Sequence, residues 1–282
     1  MHQATFDLFR KLILEVGGIA LGEKKITLLR TRIRGRMTQL KIESPESYLK
    51  FIRNDSSGEE LTHLIDAIAT NYTFFFRENK HFEVFEKQLM DLLSKGQRRI
   101  RIWSAASSSG EEPYSIAMVI RSVLNKMGIN AEQVDIKILA TDISTKILRK
   151  AIQGIYFKKQ LEKVPATWRE LYFKPIDTEQ GRQLRATESL REMIIFRHMN
   201  LNASGFPVKG PFDAIFCRNV MIYFDEPTRK KLVKKFSRVM PEGALLFVGL
   251  TESVMGYCKE LPYTDPSVYQ KTTSSSLAFA NA

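Results

Sequence analysis

Cysteine is nearly absent: Cys217 and Cys258 are the only two in 282 residues. They are too few for a disulfide framework or a cysteine-built zinc cluster, and they point to a reducing compartment. Histidine is almost as scarce, with four residues and none paired at ligand spacing, so no metal site is expected. No stretch reaches the ~20 apolar residues that a bilayer-spanning helix needs. The first residues also lack the charged start and apolar run of a signal peptide. A soluble, cytoplasmic protein is the expectation. Acidic residues are in deficit as well: 31 Asp and Glu against 43 Lys and Arg leave a net charge of +12. Such a charge speaks to solubility and to an anionic partner (nucleic acid, lipid or an acidic protein) and not to fold.

What is present divides into two parts. With 44% hydrophobic residues, the chain can build one large domain and one smaller, each with a core. Residues 1–70 read as an all-α domain. Phe6, Phe9, Leu12, Ile13 and Val16 recur at helical spacing until Gly17-Gly18. A second helix is expected over residues 24–41, with Ile26, Leu29, Ile33, Met37 and Leu40 in one stripe. Arg30, Arg34 and Lys41 flank that stripe on one side, and Lys25, Arg32 and Arg36 on the other. They make either a solvated face with snorkelling side chains or a docking face for an acidic surface. Pro45 opens a short helix over 46–53, and Asp55-Ser56-Ser57-Gly58 is a loop.

From Ile100 the rhythm alternates between strand and helix. Strands are expected over 100–105, 136–141, 193–199, 212–217, 245–249 and 268–271, and helices over 113–127, from Thr145 and from Pro227 to Met240. This order predicts a mostly parallel sheet covered on both faces. Residues 168–191 break the rhythm and are read as a small hairpin insertion, and the tail from Thr272 as frayed.

In open α/β sheets, ligands sit beyond the carboxyl ends of the strands. The first such loop is Ser107-Ser108-Ser109-Gly110-Glu111-Glu112-Pro113. A dinucleotide site wants several glycines near a pyrophosphate. Here one glycine precedes two carboxylates, which suits a cationic ligand without phosphate, such as S-adenosylmethionine. The alternative is that Glu111 and Glu112 only favour the helix dipole. Asp142, ending the second strand, is placed to accept two ribose hydroxyls, or else to cap the next helix. Arg218-Asn219 follows the fourth strand.

Three segments carry a more specific signal: Asn71-Tyr72-Thr73-Phe74-Phe75-Phe76-Arg77-Glu78, Trp103 to Ser115, and Phe212 to Phe224. Their sequences, order and spacing resemble those of CheR-type chemotaxis receptor (protein-glutamate O-) methyltransferases, and the resemblance covers essentially the whole chain. It implies a Rossmann-like S-adenosylmethionine-dependent methyltransferase domain, residues 71–282, with a small antiparallel β-subdomain, preceded by the all-α domain. It further implies methyl transfer to glutamate side chains of methyl-accepting chemotaxis receptors, giving methyl esters and S-adenosylhomocysteine, as part of chemotactic adaptation. Asn71, Thr73, Arg77, Glu111, Asp142, Asn200, Leu201, Arg218 and Asn219 would contact the cofactor, with Arg77 and Tyr223 nearest the methyl group. Lys25, Arg30, Arg32, Arg34 and Arg36 would face the receptor, and the β-subdomain binds a receptor tail in some members. The family loop usually has Thr where Ser109 stands; the hydroxyl is kept. A monomer recruited to membrane receptor arrays, with no metal, no nucleic acid and no membrane insertion of its own, completes the expectation.

Plainer roles remain for single residues. Arg77 can pair with Glu78 or Glu83, Tyr223 can pack beneath the helix after Asp225, and Cys217 reads as a buried inert thiol. Two rival readings stand beside this one. A nucleic-acid methyltransferase suits the charge, but Asn219 is followed by Val220-Met221 and not by the Pro-Pro-aromatic sequence that presents a base amine, and the basic residues do not alternate with aromatics. A non-catalytic module that only binds cofactor or receptor would have little need of Arg77, Arg218-Asn219 and Tyr223 together.

Overall fold

The computed structural model describes residues 1–68 and 71–273, so the expected domain boundary at residue 70 and the tail beyond Thr273 lie outside the described residues. The N-terminal layer holds four helices: α1 (Gln3–Gly17), α2 (Ile26–Gln39), α3 (Pro45–Asn54) and α4 (Glu59–Ile68). Phe6, Phe9 and Ile13 of α1 pack on Leu29 and Ile33 of α2, Tyr48 of α3 and Leu64 of α4. The basic helix is shorter than its periodicity suggested. Glu23–Lys25 form a 3₁₀ turn before it, and Lys41 adopts a left-handed φ of 56° just after it. Ser44 caps α3 by accepting the Ser47 N–H at 3.1 Å, with Pro45 in the first turn, where its missing N–H costs nothing.

The larger layer follows as α5 (Lys80–Ser94), β1 (Arg99–Ala105), α6 (Glu111–Lys126), β2 (Asp135–Asp142), α7 (Thr145–Gln153), β3 (Ile155–Tyr156), α8 (Ala166–Tyr172), β4 (Phe173–Thr178), β5 (Gly181–Ala186), α9 (Glu188–Arg191), β6 (Ile194–His198), β7 (Ala214–Cys217), α10 (Glu226–Arg238), β8 (Leu245–Val248), β9 (Tyr263–Asp265) and β10 (Val268–Gln270). Among the described residues, seven strands form one sheet in the order β6-β2-β1-β7-β8-β10-β9. The first five strands of that order pair in parallel, while β10 runs antiparallel to both β8 and β9. The chain fills one half of the sheet from β1 through β2 to β6, then crosses back to β7, which makes β1/β7 the switch point. Apolar side chains bury both faces. Ile100, Ile102 and Phe216 face α5 and α6, while Trp103, Ile215 and Val248 face α10. Runs such as Ala214–Cys217, buried at every position, are what a parallel strand covered on both sides requires.

The insertion is a second sheet of three strands, β3-β5-β4, all antiparallel. It starts earlier than residues 168–191, because the two-residue β3 joins its edge; so short a strand carries no readable period. The element is tied to the main sheet by Tyr156, whose hydroxyl donates to the Ser109 carbonyl at 2.9 Å. Gly110, at φ 98°, has that hydroxyl where a Cβ would stand 2.8 Å away, so no other residue fits there. Among the described residues, no helix is long and apolar enough to cross a membrane.

Candidate active site

A cavity of about 220 Å³ opens at the carboxyl ends of β1, β2, β6 and β7, with the N-terminal helical layer closing its other side. Asn71, Thr73, Arg77, Asp142, Asn200, Leu201, Arg218, Asn219 and Tyr223 all line it, and Lys25 and Leu28 of the helical layer reach it too. Glu111 does not. Successive helical residues point about 100° apart, and the one of the two glutamates that faces the cavity is Glu112. Glu111 turns back to accept the Ser109 hydroxyl at 2.6 Å, and burial raises its carboxyl pKa.

Asp142 is not a helix cap. Ser144 holds that position in α7, accepting the Ile147 N–H at 3.2 Å. Asp142 instead accepts the Ser108 N–H on Oδ2 at 2.8 Å and the Ser144 N–H on Oδ1 at 2.9 Å. These bonds fix the carboxylate, yet each oxygen retains a lone pair for a ligand hydroxyl. Burial raises its pKa, and the two backbone donors oppose the shift.

Arg218 lies almost wholly inside the protein, its side chain 1% exposed, between two carboxylates. Its Nε stands 3.4 Å from Glu78 and its Nη1 3.5 Å from Glu112, while Nη2 donates to the Arg77 carbonyl and the Phe82 ring lies beneath. A buried cation this close to two anions is electrostatically matched. Still, Nε and Nη1 make no hydrogen bond within hydrogen-bonding geometry. Glu112 accepts the Ser104 hydroxyl at 2.7 Å; burial raises its pKa and Arg218 works against that rise. Arg77 pairs with neither Glu78 nor Glu83 in the structure. It donates to the Tyr72 carbonyl at 3.0 Å and lies over the Phe74 ring, which leaves most of its donors unused.

The turn from Arg218 to Tyr223 is built on a residue the sequence reading missed. Glu252 Oε2 accepts the N–H groups of Gly249 (2.6 Å) and Asn219 (2.7 Å), and Oε1 accepts that of Ile222 (3.1 Å). These bonds hold Asn219 at a left-handed φ of 57°. They also need Gly249 bare, since a Cβ there would meet the Asn219 side chain at 2.5 Å. Burial raises the Glu252 pKa. Glu78 adds a second clasp, accepting from Asn219 Nδ2 (3.2 Å) and the Leu250 N–H (3.3 Å). A carboxylate thirty-odd residues downstream in sequence gives no local motif by which to find it.

Tyr223 ends the 3₁₀ turn Met221–Tyr223, half-buried against the Trp103 core, and its hydroxyl has no hydrogen-bond partner among the described residues. Its carbonyl accepts the Ala20 N–H at 2.7 Å, joining the two layers beside the cavity. Asn200 makes a similar link: its side chain donates to the Val16 carbonyl at the end of α1. The basic residues of α2 separate into kinds. Arg36 grips buried Glu60 with three hydrogen bonds of 2.7 to 3.0 Å, and Tyr48 donates to the same carboxylate at 2.7 Å. It is thus committed inside the helical layer. Arg32 donates to the Ala67 carbonyl at 3.4 Å, whereas Arg30 and Arg34 are exposed with no partner among the described residues.

The chain is similar to known proteins over most of its length. The family model described as "CheR methyltransferase, SAM binding domain" matches residues 71–267, and "CheR methyltransferase, all-alpha domain" matches residues 4–69. A chemotaxis protein methyltransferase of Borreliella burgdorferi is 37% identical over 93% of this chain and 92% of its own length. A probable chemotaxis protein methyltransferase of Rhizobium etli is 37% identical over 89% and 92%. The chemotaxis protein methyltransferase of Escherichia coli is 34% identical over 90% and 85%. With both layers matched in order and relatives this similar over most of the chain, the protein belongs to the CheR methyltransferase family and is an S-adenosylmethionine-dependent methyltransferase.

Proposed function

We propose that this enzyme methylates glutamate side chains of a chemotaxis receptor, forming glutamate methyl esters, at the cavity between its two layers. The observation that carries the reading is the cavity's polar inventory: carboxylates, Arg77, Arg218 and the unpartnered Tyr223 hydroxyl, with no histidine among its described lining residues. A glutamate substrate needs no general base, because its carboxylate, with a pKa of about 4.3, is already the nucleophile at neutral pH.

S-adenosylmethionine fits the donor set on view. Asp142, with a free lone pair on each oxygen, would hold the ribose hydroxyls. Glu112 would present a carboxylate to the ammonium group, and Ile143, Met199 and Leu201 would supply apolar wall for the base. Asn71, Thr73, Arg218 and Asn219 would complete the contacts. When bound, the cofactor supplies a methyl group on a sulfonium that departs as a neutral thioether. The reaction consumes two opposite charges, so the protein accelerates it by excluding water and fixing alignment. The Tyr223 hydroxyl donates to one oxygen of the substrate carboxylate and leaves the other free to attack. Arg77 draws the anionic side chain inward without protonating it. Lys25 at the cavity rim and free Arg30 and Arg34 on α2 receive the acidic substrate protein, which also places the enzyme at membrane receptor arrays in the cytoplasm.

The test is methyl transfer from labelled S-adenosylmethionine to the cytoplasmic fragment of a chemoreceptor from the same cell. Label released as methanol by mild base is the expected result, because only carboxyl esters behave so. Base-stable label, or label on nucleic acid alone, would overturn the proposal.

A further inference from the structure

A second concavity, of about 320 Å³, lies between α10 and the loop after β6, and its wall is cationic: Lys231, Lys234, Lys235 and Arg238. These four stand at i, i+3, i+4 and i+7, so they share one face of the helix. Like charges at such spacing destabilise a helix, and no carboxylate lies within ion-pairing distance of any of them among the described residues; the one ion pair of α10 is Lys230 with Glu226. The helix dipole favours cations in the last turn, which accounts for Lys235 and Arg238. It does not account for Lys234, nor for Lys231 beyond a longer-range attraction to Asp225. Lys235 is built in: its ammonium donates to the carbonyls of Leu201 and Ala203, both at 2.7 Å, and lies 4.6 Å from the Phe206 ring centre. The other three project from the rim, exposed.

This surface adjoins the active site. Leu201 lines both concavities, and α10 begins three residues after Tyr223. At about 1.5 Å per residue, the stripe starts roughly 8 Å along α10 from Glu226 and runs a further 10 Å or so. We infer that the α10 stripe is a second docking surface, separate from α2, for an acidic segment of the substrate protein. The inference rests on the acidic-protein substrate proposed above. Carboxylates repeating over two turns of a partner helix have the same spacing as these four cations, so such a segment can meet the stripe while a glutamate beside it enters the cavity.

The experiment uses the full chain and fluorescent poly-L-glutamate as probe. The variant Lys231→Gln/Lys234→Gln/Arg238→Gln is compared with a charge-matched control, Lys87→Gln/Lys95→Gln/Arg99→Gln, drawn from α5, its C-terminal end and the first residue of β1. At low salt the stripe variant should bind about fivefold to tenfold more weakly than the control, and the gap should close as salt is added. Equal binding by the two variants overturns the inference, as does a wild-type protein that binds tripolyphosphate at this site but not poly-L-glutamate. A parallel methylation assay with the receptor fragment should show a raised KM for receptor and an unchanged kcat in the stripe variant; a KM equal to the control's also overturns it. Poly-L-glutamate binding lost in the stripe variant, beside a wild type that esterifies no receptor glutamate, would leave the docking surface standing and remove the proposed substrate.

Discussion

Replacing Glu252 by glutamine tests how the turn beneath Tyr223 is held. The carboxylate accepts three main-chain N–H groups, two on Oε2 and one on Oε1. Glutamine can keep its carbonyl on the Gly249 and Asn219 donors, but its NH₂ group then faces the Ile222 N–H, donor against donor. One hydrogen bond to a charged acceptor is lost, worth about 1.5–3 kcal/mol. Relief of a buried charge, visible in the raised pKa, offsets part of it. A net loss of ~1–3 kcal/mol would lower Tm by roughly 3–10 °C in a protein of this size. Ile222 directly precedes Tyr223, and displacing a positioning group by about 1 Å costs on the order of 100-fold in rate. The expected result is therefore a kcat reduced about 10- to 100-fold, measured by labelled methyl transfer at saturating cofactor. The calorimetric Kd for S-adenosylmethionine should change far less, because Asp142 is held by other donors. A Tm that falls while kcat stays within twofold of wild type would refute the clasp as a catalytic support and leave it a purely structural one.

Tyr223→Phe should lower kcat about 10- to 100-fold, the loss of one directed hydrogen bond plus alignment, with cofactor Kd nearly intact; equal losses in both would move Tyr223 into cofactor binding. Asp142→Asn should raise the cofactor Kd about tenfold or more, since one acceptor becomes a donor toward the ribose; an unchanged calorimetric value would displace Asp142 from that role. The same residue predicts a pH dependence. Its folded pKa is raised above 3.8 by burial, so the folded state binds this proton more tightly than the unfolded chain. Its contribution to stability therefore declines as pH rises from 3.8 through the folded pKa. Cofactor affinity should move the other way, weakening as pH falls through that window, and a Kd flat down to pH 4 would contradict it. Glu60→Ala should destabilise the helical layer by about 2–4 kcal/mol, because it strands Arg36 and the Tyr48 hydroxyl; thermal unfolding followed by helical circular dichroism reads it, and an unshifted transition would show that solvent replaces the pair.

Much of the scaffold was legible because its signals are local. Helical spacing in α1 and α2 marked Phe6, Phe9, Leu29 and Ile33 as core, and all four are buried. The β1, β2 and β8 runs were apolar enough to fix strands within a residue or so of their ends. Two elements went unread for different reasons. The two residues of β3 hold no period, whereas α5 carries Phe82, Phe85, Leu89 and Leu93 at helical spacing, a local signal that was legible. In the site, Arg77, Asp142, Arg218-Asn219 and Tyr223 stood out by position and motif and line one cavity, while the resemblance pointed to Glu111 and the helix phase puts Glu112 in the lining instead.

The sequence by itself determined the order of elements, the loops that end parallel strands and the positive charge, because these depend on residue type and on spacing along a few turns. Only the tertiary structure decided which charges are spent and which are free. Arg36 disappears into a pair with Glu60, while Arg30, Arg34 and the α10 stripe stay in solvent. It also brought Glu252 to Asn219 and Ala20 to Tyr223. Such contacts join residues far apart in the chain, and their existence depends on how layers pack, a three-dimensional condition that no local pattern encodes.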